Sequence, residues 1–456
     1  MRNESTASRD LAYQVRGYSD LKGRREPLVI VRGDGIHVID QDGKSYIEGL
    51  AGLWCTALGF GEERLAEAAD KQMRRLPNYH GFGNVVPEIT VDLAEKLIGL
   101  APVPMSKVLF TNSGSEANDL AIKLIWYVNN ALGRPRKKKL VSRLKGYHGV
   151  TVASGSLTGL PHIHADFDLP MAGVLHADCP HYYHYGEDGE SEEDFATRCA
   201  ENLDKLIVGE GPDTVAAFFA EPVMCAGGVI PPPATYFEKV QEVLAKHDVM
   251  LVADEVICGF GRTGNMWGSQ TYGLRPHMMV TGKALSSGYL PISALMVSEP
   301  IYEAMVLESE KLGLFGHGST YAGHPVAAAV ALETIAIFEE RDIVGKARDL
   351  APAFQEALAG FADHPLVGEA RGVGLVGGLE LVKDKEKREV FDPIGPVGAY
   401  CKDRAQDHGL LIRAIGDVIA VCPPLVIEGP EVAELFARLG RALDDTAAWA
   451  ADEGLI

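Results

Sequence analysis

Residues 251–287 read LVADEVICGFGRTGNMWGSQTYGLRPHMMVTGKALSS. Two short apolar runs each deliver an ionisable residue: Asp254 closes the first, and Lys283 lies just past the second. Runs so short and continuous predict strands buried on both faces of a parallel sheet. Ligands bind at the carboxyl ends of such strands, so an acid and a base presented there belong to one site.

The same grammar continues on both sides. Upstream, Lys107 to Phe110, Lys139 to Ser142 and Thr214 to Ala220 read as strands, the last ending at Glu221-Pro222. Helix patterns run from Glu62 to Leu76, from Pro87 to Leu100, through Ala117 to Val128 and from Tyr236 to His247. Downstream, Ile292 to Ser298 is a strand, and an alanine-rich helix covers Val326 to Glu340. Alternating strands and helices define an α/β class with a largely parallel sheet. The first 60 residues form a β-rich lead-in with turn chemistry at Gly33-Asp34-Gly35 and Asp42-Gly43. The tail, with helices near 346–361 and 395–408, a strand at Leu375 to Val382 and the run GLLIRAIGDVIAVCPP, reads as an α+β unit. The expected division is 1–60, 61–330 and 331–456.

Composition narrows the function. At 456 residues and 46% hydrophobic, the chain can bury a large core. A net charge of −20 argues against nucleic acid or an anionic membrane as partner. The one basic run, Arg134 to Lys139, reads as a solvated turn. Seven scattered cysteines without a CxxC pair fit no disulfide framework or zinc ribbon, and suit a reducing cytoplasm. Residues 1–20 are polar, and no apolar run approaches a membrane span, so a soluble, cytoplasmic protein is expected. His176, Cys179, His181 and His184 match no zinc spacing, and their segment reads as a surface loop without a metal.

Several stretches carry chemistry. Ser113-Gly114-Ser115 opens a helix, where free N–H groups, hydroxyls and the helix dipole favour an anion. Ser113 with Glu116 also fits a capping box, which is compatible with phosphate binding. Tyr147, between Gly146 and His148-Gly149 at a strand end, can lie against a planar ligand or simply make a turn. Trp54 in GLAGLWC is either a core aromatic or a pocket wall. Phe82, in the loop PNYHGFGN, either lines a site or caps a core. Arg413, between apolar stretches, needs an ion pair or a bound carboxylate.

GFGRTG at 259–264 satisfies G-x-G-x-x-G literally. A dinucleotide fingerprint needs its last glycine to open a helix, and here Gly268, Gly273 and Pro276 leave no room for one. Asp254-Glu255 would also set negative charge beside a pyrophosphate. A nicotinamide-dependent oxidoreductase is therefore a distant reading. A phosphate nest, a flanking aromatic, a carboxylate and a lysine instead suit pyridoxal 5′-phosphate (PLP): the lysine forms a Schiff base, and the carboxylate keeps the pyridine nitrogen protonated.

From GLAGLWC through FTNSGSEAND, GYHG, FFAEPV, LVADEVICGFGRTG, TGKALSSGYLP and HGSTYAGHP to LLIRAIGD, the chain resembles the class III PLP-dependent aminotransferases of fold type I, in particular the ω-amine:pyruvate transaminase group. The resemblance implies a large domain built on a mostly parallel seven-stranded sheet flanked by helices, and a smaller domain drawn from both chain ends. It makes Lys283 the Schiff-base lysine and proton-transfer base, and Asp254 the partner of the pyridine nitrogen. Tyr147 and Val256 would sandwich the ring, and Ser113, Gly114 and Ser115 would bind the phosphate, joined by Thr320 from a partner subunit. Trp54, Phe82 and Tyr147 would wall the substrate pockets, and Arg413 would bind the acceptor carboxylate. The implied reaction moves an amino group from a primary amine or ω-amino acid to pyruvate, ping-pong through pyridoxamine phosphate, in a homodimer or a tetramer. An aminomutase or racemase on the same fold and a non-catalytic binding protein are the other readings. His277 stands where the family usually has an acid.

Overall fold

The computed structural model describes residues 5–23 and 25–456. Its centre is a seven-stranded sheet in the order Lys107–Thr111, Ser293–Val297, Met278–Thr281, Met250–Asp254, Val215–Ala220, Lys139–Arg143, Val174–Ala177. Ser293–Val297 runs antiparallel to both neighbours, and the other pairings are parallel. Six strands therefore point their carboxyl ends the same way. The strands are apolar because helices cover both faces: Val215–Ala220 and Met278–Thr281 are buried at every position.

The helix Gly114–Ala131 packs one face of the sheet through Ala117, Leu120, Ala121, Leu124, Ile125 and Val128, the stripe read from periodicity. Tyr236–Lys246 and Glu192–Glu210 pack together as a pair of helices. The alanine-rich helix Pro325–Glu340 packs on Glu63–Arg75 and Glu88–Leu100, and runs through the expected boundary at 330/331.

The chain ends share a sheet. Ile30–Asp34, His37–Asp40 and Ser45–Glu48 form the expected meander, and Leu410–Leu411 joins it parallel to Ser45–Glu48. A third sheet, Val367–Val373, Val376–Leu381, Val418–Val421 and Arg413–Ile415, is wholly antiparallel. The long helix Gly429–Asp452 closes this end.

Three expectations are corrected. The polar lead holds a helix, Thr6–Tyr13, and its residues 1–4 lie outside the described residues. The segment from His176 is not a surface loop. It begins in the strand Val174–Ala177, buries Cys179 and His181, and ends in the helix Glu192–Glu210. Third, GFGRTG is followed by a short helix, Gly268–Tyr272. Among the described residues, no helix is long and apolar enough to cross a membrane.

Candidate active site

The strand ends converge on a cavity of about 430 Å³ lined by Ser113, Gly114, Ser115, Tyr147, Glu221, Asp254, Val256 and Lys283, among others. Each of these side chains lies at, or within four residues of, the carboxyl end of a strand in the central sheet. Leu290, Pro291 and Ile292, which lead into the reversed strand, complete the wall.

Asp254 is 4% exposed and saturated with donors. Its Oδ2 accepts from Asn118 Nδ2 at 2.8 Å and from His148 Nδ1 at 2.9 Å, and its Oδ1 accepts from Val256 N at 3.1 Å. Asn118 also donates to the His148 carbonyl, so helix, loop and strand are tied at this carboxylate. Two side-chain donors and one main-chain donor thus fix the orientation of the carboxylate.

Lys283 follows its strand in a left-handed backbone conformation, φ +43°, that a non-glycine residue adopts at a cost of about 1–3 kcal/mol. Burial pushes its ammonium down, against the pull of Asp254. Desolvation that disfavours the ammonium is what a lysine acting as nucleophile and base needs.

At the helix start, Ser113 Oγ accepts from Glu116 N at 3.2 Å, half of the expected capping box. The other half differs: Glu116 Oε2 reaches Asn112 N at 2.8 Å instead of Ser113 N. The N–H groups of Ser113, Gly114 and Ser115 are thereby left without acceptors among the described residues. The cradle is tight. A Cβ on Gly114 would meet Val256 Cγ2 at 3.0 Å, and one on Gly149 would meet Ser115 Cβ at 2.8 Å. Free amides and hydroxyls at a helix start, a saturated carboxylate and a desolvated lysine in one cavity fit PLP.

A second cavity of about 240 Å³ shares Tyr147, Ile257 and Lys283 with the first. It is walled by Tyr18, Leu53, Trp54, Leu160, His162 and Arg413, among others. Trp54 is both buried, at 4% exposure, and a wall, in a left-handed turn at φ +63° that presents it there. Arg413 makes no ion pair among the described residues, and its guanidinium lies 5.3 Å from the centre of the Tyr18 ring. Burial pushes the Tyr147 phenol up, helped by Tyr18.

Phe82 and Thr320 do not line either cavity of their own chain. Phe82 is 45% exposed and packs on Gly318, two residues before the exposed Thr320.

Sequence reading missed Tyr18, His162, Asn118, His148 and the role of Glu221. Tyr18 and His162 reach the cavity through the path of the chain. Asn118 carried a usable signal, one helical turn from Ser113-Gly114-Ser115. His277 Nδ1 accepts the N–H of Leu251 at 3.0 Å, and burial pushes its pKa down.

Two other features are settled by geometry. Glu255, fully buried, accepts from Gly268 N at 2.9 Å and Ser269 N at 2.6 Å, so the helix after GFGRTG is capped by the protein's own carboxylate. His181, His184 and Glu380 bring ligand-type atoms within 4.8 Å of one another. His184 and Glu380 stand 2.8 Å apart, as do His181 and Glu369, and Arg371 bridges both acids. These are hydrogen-bond separations, shorter than the ~3.3 Å between ligand atoms around a tetrahedral zinc.

Fold and site together define a PLP enzyme of fold type I. The chain belongs to the class-III aminotransferase family, whose model matches residues 18–443. It is 52% identical over 422 residues to a γ-aminobutyrate transaminase 3, chloroplastic, of Solanum lycopersicum, covering 92% of this chain and 81% of that one. An omega transaminase from Pseudomonas jessenii, solved in complex with PMP, superposes with a TM-score of 0.97 at 52% identity, over 98% of this chain and 99% of that one. A thermostable omega transaminase variant with a tryptophan, a phenylalanine and an arginine replaced, engineered for asymmetric synthesis of enantiopure bulky amines, matches equally well: 52% identity, TM-score 0.97, 98% and 100% coverage.

Proposed function

We propose that this aminotransferase moves the amino group of a primary amine or ω-amino acid to pyruvate, donor and acceptor using the same cavity in turn. One observation carries the reading: Lys283 is shared by both cavities, and the second is lined by a guanidinium residue, Arg413, with no ion-pair partner among the described residues. A cation left unpaired beside apolar walls suits a substrate carboxylate, which a planar fork can bind through two parallel bonds. The aromatic and aliphatic walls suit the body of an amine.

When bound, PLP supplies a carbonyl carbon for amines and a ring that takes up an electron pair from the substrate carbon. Asp254 would hold the proton on the pyridine nitrogen, and Tyr147 and Val256 would hold the ring between them. Lys283 would take the proton from the substrate carbon and return it to the cofactor's carbonyl carbon. Ser113, Gly114 and Ser115 anchor the phosphate through N–H groups and hydroxyls. Arg413 orients the keto acid.

The three positions replaced in the engineered variant are spaced as Trp54, Phe82 and Arg413 are here, which supports their assignment to substrate recognition. The exposure of Phe82 and Thr320 supports a homodimer in which each chain lends these loops to its partner's site. Seven unpaired cysteines support a reducing compartment, such as the cytoplasm. The test is a panel of amine donors with pyruvate: alanine should accumulate in step with loss of amine. No alanine from any donor would overturn the reading.

A further inference from the structure

Glu221 is the ionisable residue of the cofactor cavity to which the steps above give no work. It is 3% exposed, directly follows the strand Val215–Ala220, and among the described residues pairs with no basic side chain through its carboxylate. Its Oε1 accepts from Tyr147 N at 2.9 Å. Its backbone carbonyl accepts from Nη2 of Arg143, itself fully buried, so the residue is fixed at both ends. Among the described residues its Oε2 accepts no hydrogen bond, and it still has access to open space; the open space that Glu221 lines is the cavity.

Asn118 Oδ1 and His148 Nε2, on the same lining, lack partners among the described residues but are sealed from open space. Asp254 serves the ring nitrogen, Lys283 the carbonyl carbon, and the helix start the phosphate. Ser286 Oγ donates to Leu290 O. PLP has one more polar substituent, a ring hydroxyl beside its carbonyl carbon. We infer that Glu221 is a positioning residue for the cofactor ring: Oε1 fixes the main chain of Tyr147 against one face, and Oε2 meets the ring hydroxyl.

The surroundings support a shared proton at that contact. Burial pushes the Glu221 carboxyl up to about 7, against His148 and with repulsion from Asp254. The charged or titratable groups around it are Arg143 from its neighbouring strand, Tyr147 and His148 from the following loop, Asp254 from the other neighbouring strand, Lys283 and Cys225. A carboxyl poised in this range can take or return a proton as the hydroxyl ionises.

The test uses purified wild type, Glu221→Gln and Glu221→Ala, each stripped of cofactor and titrated with PLP. Gln keeps an acceptor for Tyr147 N–H but cannot ionise. It should bind PLP within about threefold of wild type, while the pH midpoint of the bound cofactor's visible band falls by about one unit, because a nearby negative charge is gone. Ala should weaken PLP binding about tenfold or more, through the lost acceptor. Circular dichroism identifies a variant that fails to fold, and Gln alone then decides. A midpoint in Gln equal to that of wild type would reduce Glu221 to a cap for the Tyr147 turn and overturn the inference. Wild type that bound no PLP would fail the cofactor assignment instead.

Discussion

His148 Nδ1 stands 2.9 Å from Asp254 Oδ2, with the two side chains 0% and 4% exposed. The bond requires the proton on Nδ1, since the carboxylate can only accept. The imidazole thus supplies one of the three donors that fix the Asp254 carboxylate in place.

Removing that donor tests whether Asp254 needs it. His148→Ala should lower kcat about tenfold, the scale of one charge-assisted hydrogen bond, and leave KM for the keto acid within a factor of two or so. Steady-state kinetics at saturating PLP separates the two. A fall in keto-acid affinity with kcat intact would show that His148 acts elsewhere.

Lys283→Ala removes both nucleophile and base. Turnover of amine and pyruvate should drop by about 10⁴-fold or more, and the visible band of the cofactor should lose its dependence on added amine. Wild-type turnover in this variant would end the assignment.

Arg413→Ala should raise KM for pyruvate by about 10- to 100-fold, while an aldehyde acceptor without a carboxylate changes little. Equal losses on both acceptors would mean that the guanidinium supports the fold, through the Tyr18 ring it covers.

Acid should weaken the fold at the cluster joining the His181 turn to the small sheet. Burial pushes His181 down to about 4 from 6.5, against the pull of Glu369. Glu380, which burial alone would push up, is held down to about 2 by His184 and Arg371. The unfolded chain therefore binds more protons than the folded one, at His181 between pH 6.5 and about 4, and at Glu380 between pH 4.5 and about 2. Stability is lost as pH falls through both windows, on the order of 2 kcal/mol for His181. Thermal melts from pH 7 to pH 4.5 should show Tm falling, with a shallower slope in His181→Asn. An unchanged slope would place the acid sensitivity elsewhere.

Much of the central sheet was legible because strands buried on both faces read as continuous apolar runs, and each delivers its polar residue at a strand end. Asp254, Lys283, Tyr147 and the Ser113 turn meet in one cavity for that reason. The helices Glu192–Glu210 and Gly429–Asp452 were missed, the first because its acidic opening resembles a loop. Tyr18 and His162 were illegible because no local period records a contact between residues 144 positions apart. Phe82 was legible as an aromatic in a loop, but the direction in which its loop points is a tertiary property.

The Glu255 cap bears on how such chains are searched. A pattern scan for G-x-G-x-x-G will return this chain as cofactor-binding for the wrong reason and at the wrong loop. The discriminating letters precede the glycines: a strand that closes on two consecutive acids has committed one of them to the following turn, and the amide groups a pyrophosphate would need are already spoken for.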